Sequence, residues 1–159
     1  VLHLNSMVSG MILLPGAIAN ALSAALVGRL YDKHGPKYLI ISGGILMLIA
    51  AIPFVMISET TPVWLLTVAY MLRMIGNALV FSPAMSEAFV DVLPDEVSHA
   101  TALNNSLRQA FGASSITILI VLSNIPATFT AGMRLSMWVT VGLVLLMLTW
   151  FGLYLRKDA

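Results

Sequence analysis

The sequence GRLYDKHGPK, from Gly28 to Lys37, is a charged stretch within a mostly apolar chain. No Asp, Glu, Lys or Arg precedes it, and the next charged residue after it is Glu59. Each apolar flank can cross a hydrocarbon core of about 30 Å, because a helix rises about 1.5 Å per residue. The stretch is therefore predicted to be a short polar loop between two membrane-spanning helices.

The composition is typical of a membrane protein. Of the 159 residues, 59% are hydrophobic and 9% are charged, and the mean hydropathy is +0.95. A soluble domain carries about 25% charged residues, so most of this surface is predicted to face lipid. The net charge of +1 gives no reason to expect nucleic acid as a partner. Because the chain opens on Val1 without an initiator Met, we expect it to be a fragment of a longer protein.

Signatures of enzymes and metal sites are missing from the sequence. It contains no H-E-x-x-H, no P-loop and no G-x-S-x-G. There is no cysteine, and His3, His34 and His99 are scattered in or near predicted loops. We therefore predict no catalytic residue, no cofactor and no metal.

The predicted fold is an all-α membrane protein with five transmembrane helices, forming a single membrane domain over residues 1–159. Each helix has the roughly 20 apolar residues that a span needs. Strands are unfavourable because an open sheet in lipid would leave its edge hydrogen bonds unsatisfied. The predicted helices, A to E, cover roughly residues 6–30, 36–57, 62–89, 94–124 and 133–155.

The distribution of Lys and Arg predicts the orientation. Positive charge is found in the A–B loop and after helix E, whereas the B–C loop has none. Positively charged loops stay in the cytoplasm, so we predict an outside N-terminus and a cytoplasmic C-terminus in the plasma (inner) membrane. The residues concerned are Arg29, Lys33, Lys37, Arg156 and Lys157.

Arg73 is the most informative single residue, because it lies near the middle of predicted helix C. A central Arg costs about 2.5–3.5 kcal/mol on the insertion scale, and intramembrane charges usually serve function. The functional interpretation is that Arg73 faces a polar cavity and pairs with a substrate or a carboxylate. The structural alternative is an Arg bonded to backbone carbonyls of a neighbouring helix. Asn77 is a further candidate for the cavity.

A proton relay requires Asp, Glu or His at membrane depth, since Arg stays protonated. None lies in mid-span, and the nearest are Glu87 and Asp91 near one end of helix C. Asp91 is interpreted as a solvated residue at the helix end. Glu87 is a candidate for proton coupling, with a solvated helix end as the equal alternative.

Predicted helix D carries a polar stripe, because several polar and small residues follow one another at steps of three and four. In lipid such a stripe faces protein or water. Helix packing is the simpler interpretation, and a cavity lining with Asn105 and Arg108 is the functional one. The stripe consists of Thr101, Asn105, Arg108, Gly112 and Ser115. Close helix packing is expected at Gly10, Gly16, Ala21, Gly43 and Gly44.

The quoted stretch resembles the loop signature of the major facilitator superfamily, G-x-L-x-D-r-x-G-r-k. Pro36 stands where the pattern often has Arg or Lys, and Arg73 to Gly76 resembles the family's R-x-x-q-G. The flanking segments 13–17 (LLPGA) and 102–109 (ALNNSLRQ) look like the C-terminal half of 14-span drug:proton antiporters of the EmrB/QacA type. The signature matches at Gly28, Leu30, Asp32, Gly35 and Lys37.

The resemblance implies that the chain is the last five helices of such a transporter. The implied partners are membrane lipid, a small-molecule substrate, protons and the missing N-terminal half. The implied gating loop comprises Gly28, Arg29, Asp32, Lys33, Gly35 and Lys37. In the family, this Asp meets a helix N-terminus of the opposite half, so Asp32 is expected to find no such partner outside its own hairpin.

The expected function is proton-coupled efflux of drugs or amphipathic small molecules. One alternative is a proton-coupled uptake symporter of the same superfamily. Another is a truncated membrane protein that does not transport. The Gly/Pro-rich antiporter motif of the family is expected in the absent half, and helix D has only Gly112 in the corresponding region.

Overall fold

The computed structural model describes residues 6–56, 61–124 and 129–157, and every regular element within them is a helix. All four helices are long and apolar enough to cross a membrane, which makes the chain an all-α membrane protein. Helix α1 covers Ser6–Val55, α2 covers Val63–Ala88, α3 covers Val97–Asn124 and α4 covers Phe129–Lys157.

Helix α1 reverses direction at Gly35, the only residue within it that leaves helical geometry. Residues 6–34 form its first limb and residues 36–55 its second. Along the first limb, Gly16 packs against Tyr70, and further on Tyr31 is hydrogen-bonded to Glu87. Residue numbers therefore increase in the same direction in the first limb and in α2. Along the second limb, Gly43 meets Leu79 while the later Ala51 shares a cavity with Arg73. The limbs therefore run in opposite directions along α2.

The predicted count of five separate helices is not matched, because predicted helices A and B belong to one element. The helix continues through Asp32, Lys33 and His34, and the predicted loop shrinks to the turn at Gly35. Helix α3 begins at Val97 rather than at Pro94, since residues 94–96 form a turn in which Glu96 N–H donates to Leu93 O (2.9 Å). Helix α4 begins four residues before the predicted start, at Phe129. Ile57, the predicted end of helix B, lies outside the described residues.

The core lies between the two limbs of α1 and α2. Val27, Leu39 and Ala78 form a buried cluster, against which Tyr31 and Leu79 pack. Because Val27 and Leu39 come from opposite sides of the Gly35 turn, this cluster holds the reversal closed. Burial of these side chains in a membrane protein stabilises the fold through packing, since lipid is as apolar as the core.

Three predicted sites of close packing are confirmed. A Cβ on Gly43 would lie 2.8 Å from Gly76 O, and one on Gly44 would lie 2.5 Å from Leu148 Cδ2. Gly16 lies directly against the Tyr70 ring. Among the described residues the other two positions show no close packing, because a Cβ added at Gly10 would have no other atom within 4 Å and Ala21 is exposed.

Helices α3 and α4 form a second pair. Ser136, which is buried, donates from its hydroxyl to Leu119 O of α3 (3.1 Å), and Gly132 lies against the backbone of Ser123. Helix α4 also reaches the second limb of α1 at Gly44 and Leu148. None of the described residues of α3 is buried, so α3 is the most open helix of the described part.

Candidate functional site

The turn of α1 exposes the charged residues of the signature stretch. Arg29, Asp32, Lys33 and Lys37 are all exposed around Gly35. Gly35 has φ 73° and ψ 172°, a conformation that is essentially restricted to glycine. The sequence position of this glycine therefore determines where the chain turns and which charges are displayed there.

A hydrogen bond joins this turn to the end of α2. The hydroxyl of Tyr31 donates to Glu87 Oε1 over 2.6 Å. The distance is at the short end of the range for hydrogen bonds from a hydroxyl to an oxygen. The structure thus brings Glu87, the proposed proton-coupling residue, to the signature turn. Within the described ranges, the side chain of Asp32 has no hydrogen bond or ion pair, and the expectation that it finds no helix N-terminus outside its own hairpin stays a prediction.

Arg73 lies partly buried on the side of α2 that faces the second limb of α1 and α4. Its Nη1 donates to the sulfur of Met137 over 3.6 Å. A thioether is a weak acceptor, and no carboxylate of the described residues pairs with the guanidinium. Arg73 also lines a chamber of about 10 Å³ together with Met47 and Thr140, which is close to the least volume that holds one water.

Arg108 lies in a different place, in an open cleft between the end of α2 and α3. Its guanidinium carbon is 5.3 Å from the centroid of the Phe81 ring, a cation–π geometry. The neighbouring Asn104 donates from its amide to the sulfur of Met85 (3.6 Å). The cleft has a volume of about 430 Å³, and Phe111 and Leu107 contribute to its apolar wall.

The remaining candidates are not gathered with either arginine. Asn77 and Asn105 are exposed, and the described residues give them no hydrogen bond. Within the polar stripe of α3, Arg108 contacts Phe81 of α2, whereas Thr101, Gly112 and Ser115 are also exposed among the described residues. Helix α3 pairs with α4 through Leu119 and Ser123, and helix packing and cavity lining both stay predictions for the stripe.

Sequence reasoning missed four side chains with specific contacts. Asn20 donates from Nδ2 to Met74 O over 2.9 Å and so links the first limb of α1 to α2. Tyr31, Phe81 and Asn104 are the other three. Asn20 had a detectable signal, since it is a lone amide within an apolar span. The others became visible only once the helices were placed beside one another.

No group of three or more His, Cys, Asp or Glu that could hold a metal occurs among the residues that the structure describes. The candidate residues are instead single cations, amides and carboxylates that lie in separate places on long apolar helices. Arginines within long apolar helices, one beside a small chamber and one in an open cleft, fit an integral membrane protein, because charged residues in such helices usually face protein or a water-filled cavity.

The chain belongs to the major facilitator superfamily. The family's sequence profile, described as Major Facilitator Superfamily, matches residues 1–117. The MFS-type transporter YcnB of Bacillus subtilis is 31% identical over 118 residues, which are 73% of this chain and 25% of YcnB. The lincomycin resistance protein LmrB of the same organism is 30% identical over 75% of this chain and 25% of its own length.

A more distant relative covers more of the chain. The riboflavin transporter RibZ of Clostridioides difficile is 22% identical over 98% of this chain and 37% of RibZ. No solved structure matches the chain. The chain spans about a quarter of the length of YcnB and LmrB.

Proposed function

We propose that the chain is the C-terminal part of a proton-coupled efflux transporter for drugs or amphipathic small molecules. The observation that carries this proposal is the similarity to LmrB proteins of Bacillus and Listeria, which are named for lincomycin resistance. The finer assignment to the 14-span EmrB/QacA type is part of the proposal and is supported by the segments 13–17 and 102–109. The proposed location is the plasma (inner) membrane, with the C-terminus in the cytoplasm.

The geometry supports a conformational role for the signature turn. Transport by alternating access needs two repeats that rock around a site near the membrane midplane. In this chain the exposed charges at Gly35 sit on a hairpin whose position is tied to α2 by Tyr31 and Glu87. A missing N-terminal half with its own signature loop is the proposed partner of Asp32. Protons are the proposed coupling ion, with Glu87 as the carboxylate nearest the turn.

The test is drug accumulation in bacteria that express the full reading frame and lack their own major efflux pumps. We expect less radiolabelled lincomycin in these cells than in cells with an empty vector, and we expect a protonophore to abolish the difference. Asp32→Asn removes the proposed charge–dipole contact of the gating loop and is expected to restore accumulation at equal expression. Equal accumulation with and without the protein would refute efflux of this drug.

Uptake of a polar solute is the second candidate, because RibZ, named as a riboflavin transporter, aligns with almost the whole chain. A riboflavin auxotroph that expresses the full reading frame separates the two. Growth on low riboflavin, together with unchanged lincomycin accumulation, would favour uptake over drug efflux.

A further inference from the structure

The open cleft between the end of α2 and α3 combines one cation with aromatic and aliphatic side chains. Its volume of about 430 Å³ lies within the roughly 300–1,000 Å³ of sites that hold small organic molecules. Arg108 and Asn104 are its polar lining residues, and Phe89 and Phe111 are its aromatic ones. The aliphatic part of the lining consists of Ala88, Ala100, Leu103 and Leu107. An apolar lining with a few polar groups is typical of a ligand site.

Two contacts between side chains position the polar groups of this cleft. The guanidinium of Arg108 lies 5.3 Å from the ring centroid of Phe81, and the amide of Asn104 donates to the sulfur of Met85 over 3.6 Å. Phe81 and Met85 are one turn apart on α2, and Asn104 and Arg108 are one turn apart on α3. The amide and the guanidinium are therefore presented together on one face of α3.

Arg108 keeps its hydrogen-bonding capacity in this arrangement. A guanidinium has five N–H donors, and among the described residues Arg108 has a ring contact but no hydrogen-bond acceptor and no ion pair. Within the described lining no Asp or Glu is present, so Arg108 is its one charged side chain. Glu87, which precedes the lining residue Ala88, is hydrogen-bonded to Tyr31. Charge complementarity thus favours an anionic occupant, since charge-assisted hydrogen bonds are about twice as strong as neutral ones.

The aromatic part of the lining favours a ring in the body of that occupant. Phe111 follows Arg108 by three residues on α3, so the ring and the guanidinium lie on the same face of the helix. Phe89 directly follows α2 and lines the same cleft. Aromatic rings attract one another beyond the effect of buried area, in offset or edge-to-face arrangements. A ring joined to a carboxylate matches both parts of the lining, because the fork of a guanidinium fits the two carboxylate oxygens.

We propose that this cleft is a binding site for an aromatic carboxylate. The carboxylate accepts hydrogen bonds from Arg108 and from the second N–H of the Asn104 amide, and the ring packs against Phe111. This inference rests on the proposed function, to which it adds a substrate class, the anionic aromatic amphiphiles. It needs only residues that line one cleft.

Binding to the purified full-length protein in detergent tests the proposal. The probe is tritiated naphthoate, and equilibrium dialysis against protein-free micelles of the same detergent corrects for uptake by the micelles. Naphthamide and naphthamidine, as competitors, are the neutral and cationic matches with the same ring. We expect each to bind about tenfold more weakly than naphthoate or worse, because neither offers a carboxylate to Arg108.

Variants identify the carboxylate contact and the cleft. Arg108→Gln is expected to weaken naphthoate binding by about tenfold to a hundredfold, and Arg108→Lys is expected to retain part of it. Arg134→Gln removes an exposed cation of α4 outside the cleft lining and should leave binding unchanged. Leu107→Trp keeps Arg108 but fills the cleft, so it should block binding. Leu146→Trp adds the same side chain at an exposed position of α4 and should not.

Three results would overturn the proposal. One is equal affinity of the unmodified protein for naphthoate and naphthamide, which requires no variant to fold. The second is unchanged naphthoate binding by Arg108→Gln, and the third is full binding by Leu107→Trp. A protein that exports lincomycin but gives one of these results keeps the proposed efflux function and lacks this site. A protein that binds naphthoate through Arg108 without exporting lincomycin has the site and lacks efflux of that drug.

Discussion

The hydroxyl of Tyr31 and the carboxylate of Glu87 are joined by a 2.6 Å hydrogen bond between residues 56 positions apart. Tyr31 precedes the Gly35 turn by four residues, and Glu87 lies in the last turn of α2. The bond therefore connects the charged signature stretch to the helix that carries Arg73. A movement of the turn relative to α2 must lengthen or break it.

Two substitutions at this bond are expected to have different effects. Tyr31→Phe removes the donor but keeps a carboxylate that can take up a proton. Glu87→Gln keeps an acceptor oxygen for Tyr31 but cannot titrate. If Glu87 couples transport to protons, Glu87→Gln abolishes the protonophore-sensitive transport of the full-length protein, whereas Tyr31→Phe lowers its rate by only about twofold to fivefold.

The same two variants can also contradict the proposed role of Glu87. Equal effects of Tyr31→Phe and Glu87→Gln, with no further loss in the double variant, would show that the residues act only as a bonded pair. That outcome would remove Glu87 as a proton-coupling residue. Drug accumulation at matched expression is the measurement in each case.

The contact between Gly43 and Gly76 predicts a large effect of one methyl group. A Cβ on Gly76 would lie 2.8 Å from Gly43 O, and one on Gly43 would lie 2.7 Å from Leu79 Cβ. Because backbone atoms block the space, Gly43→Ala and Gly76→Ala are each expected to destabilise the protein by about 1–3 kcal/mol. Thermal unfolding in detergent measures the change.

Gly112 provides the matched control for these two glycines. It lies within α3, where an added Cβ would have no atom of another described helix within 4 Å, and Ala has a higher helix propensity than Gly by about 1 kcal/mol. Gly112→Ala should therefore leave the unfolding temperature unchanged or raise it. A fall in stability like that of Gly43→Ala would contradict the packing that the structure shows.

Gly35 is expected to tolerate no other residue, including asparagine. Its φ of 73° with ψ of 172° lies outside the left-handed helical region that Asn adopts readily, in a region essentially limited to glycine. Gly35→Ala and Gly35→Asn should both destabilise the protein by about 1–3 kcal/mol. Gly28→Ala is the control for stability, because Gly28 is helical and an added Cβ would have no atom of another described helix within 4 Å. A stable Gly35→Asn would show that the turn adopts another conformation.

Hydropathy predicted the helices well, because a membrane span has few polar residues and its length is set by the bilayer. The turn at Gly35 and the close contact between helices at Gly43 were also predictable, because each needs a residue without a side chain. The direction of Arg73 was not predictable. Its neighbours in the sequence of α2 are apolar on every side of the helix, so they do not indicate which way its side chain points. That it faces α4 depends on where α4 packs.

The environment of α3 also could not be predicted from the sequence. A polar stripe is satisfied equally well by another helix or by a water-filled cavity, and the pattern around Asn105 cannot distinguish them. The contact of Arg108 with Phe81 requires the relative position of two helices that are far apart along the chain. Local periodicity carries no information on that position.

Asn20 yields the last prediction, because its amide is a rare polar link between two apolar helices. It donates to Met74 O over 2.9 Å from a partly buried position. Interhelical hydrogen bonds in membranes contribute about 0.6 kcal/mol on average and up to about 1.7, so Asn20→Leu should lower unfolding stability in detergent by roughly that amount. Asn105→Leu removes an exposed amide without a described partner and should cause a smaller change. If the two variants were equally stable, the bond of Asn20 would contribute nothing to joining the first limb of α1 to α2.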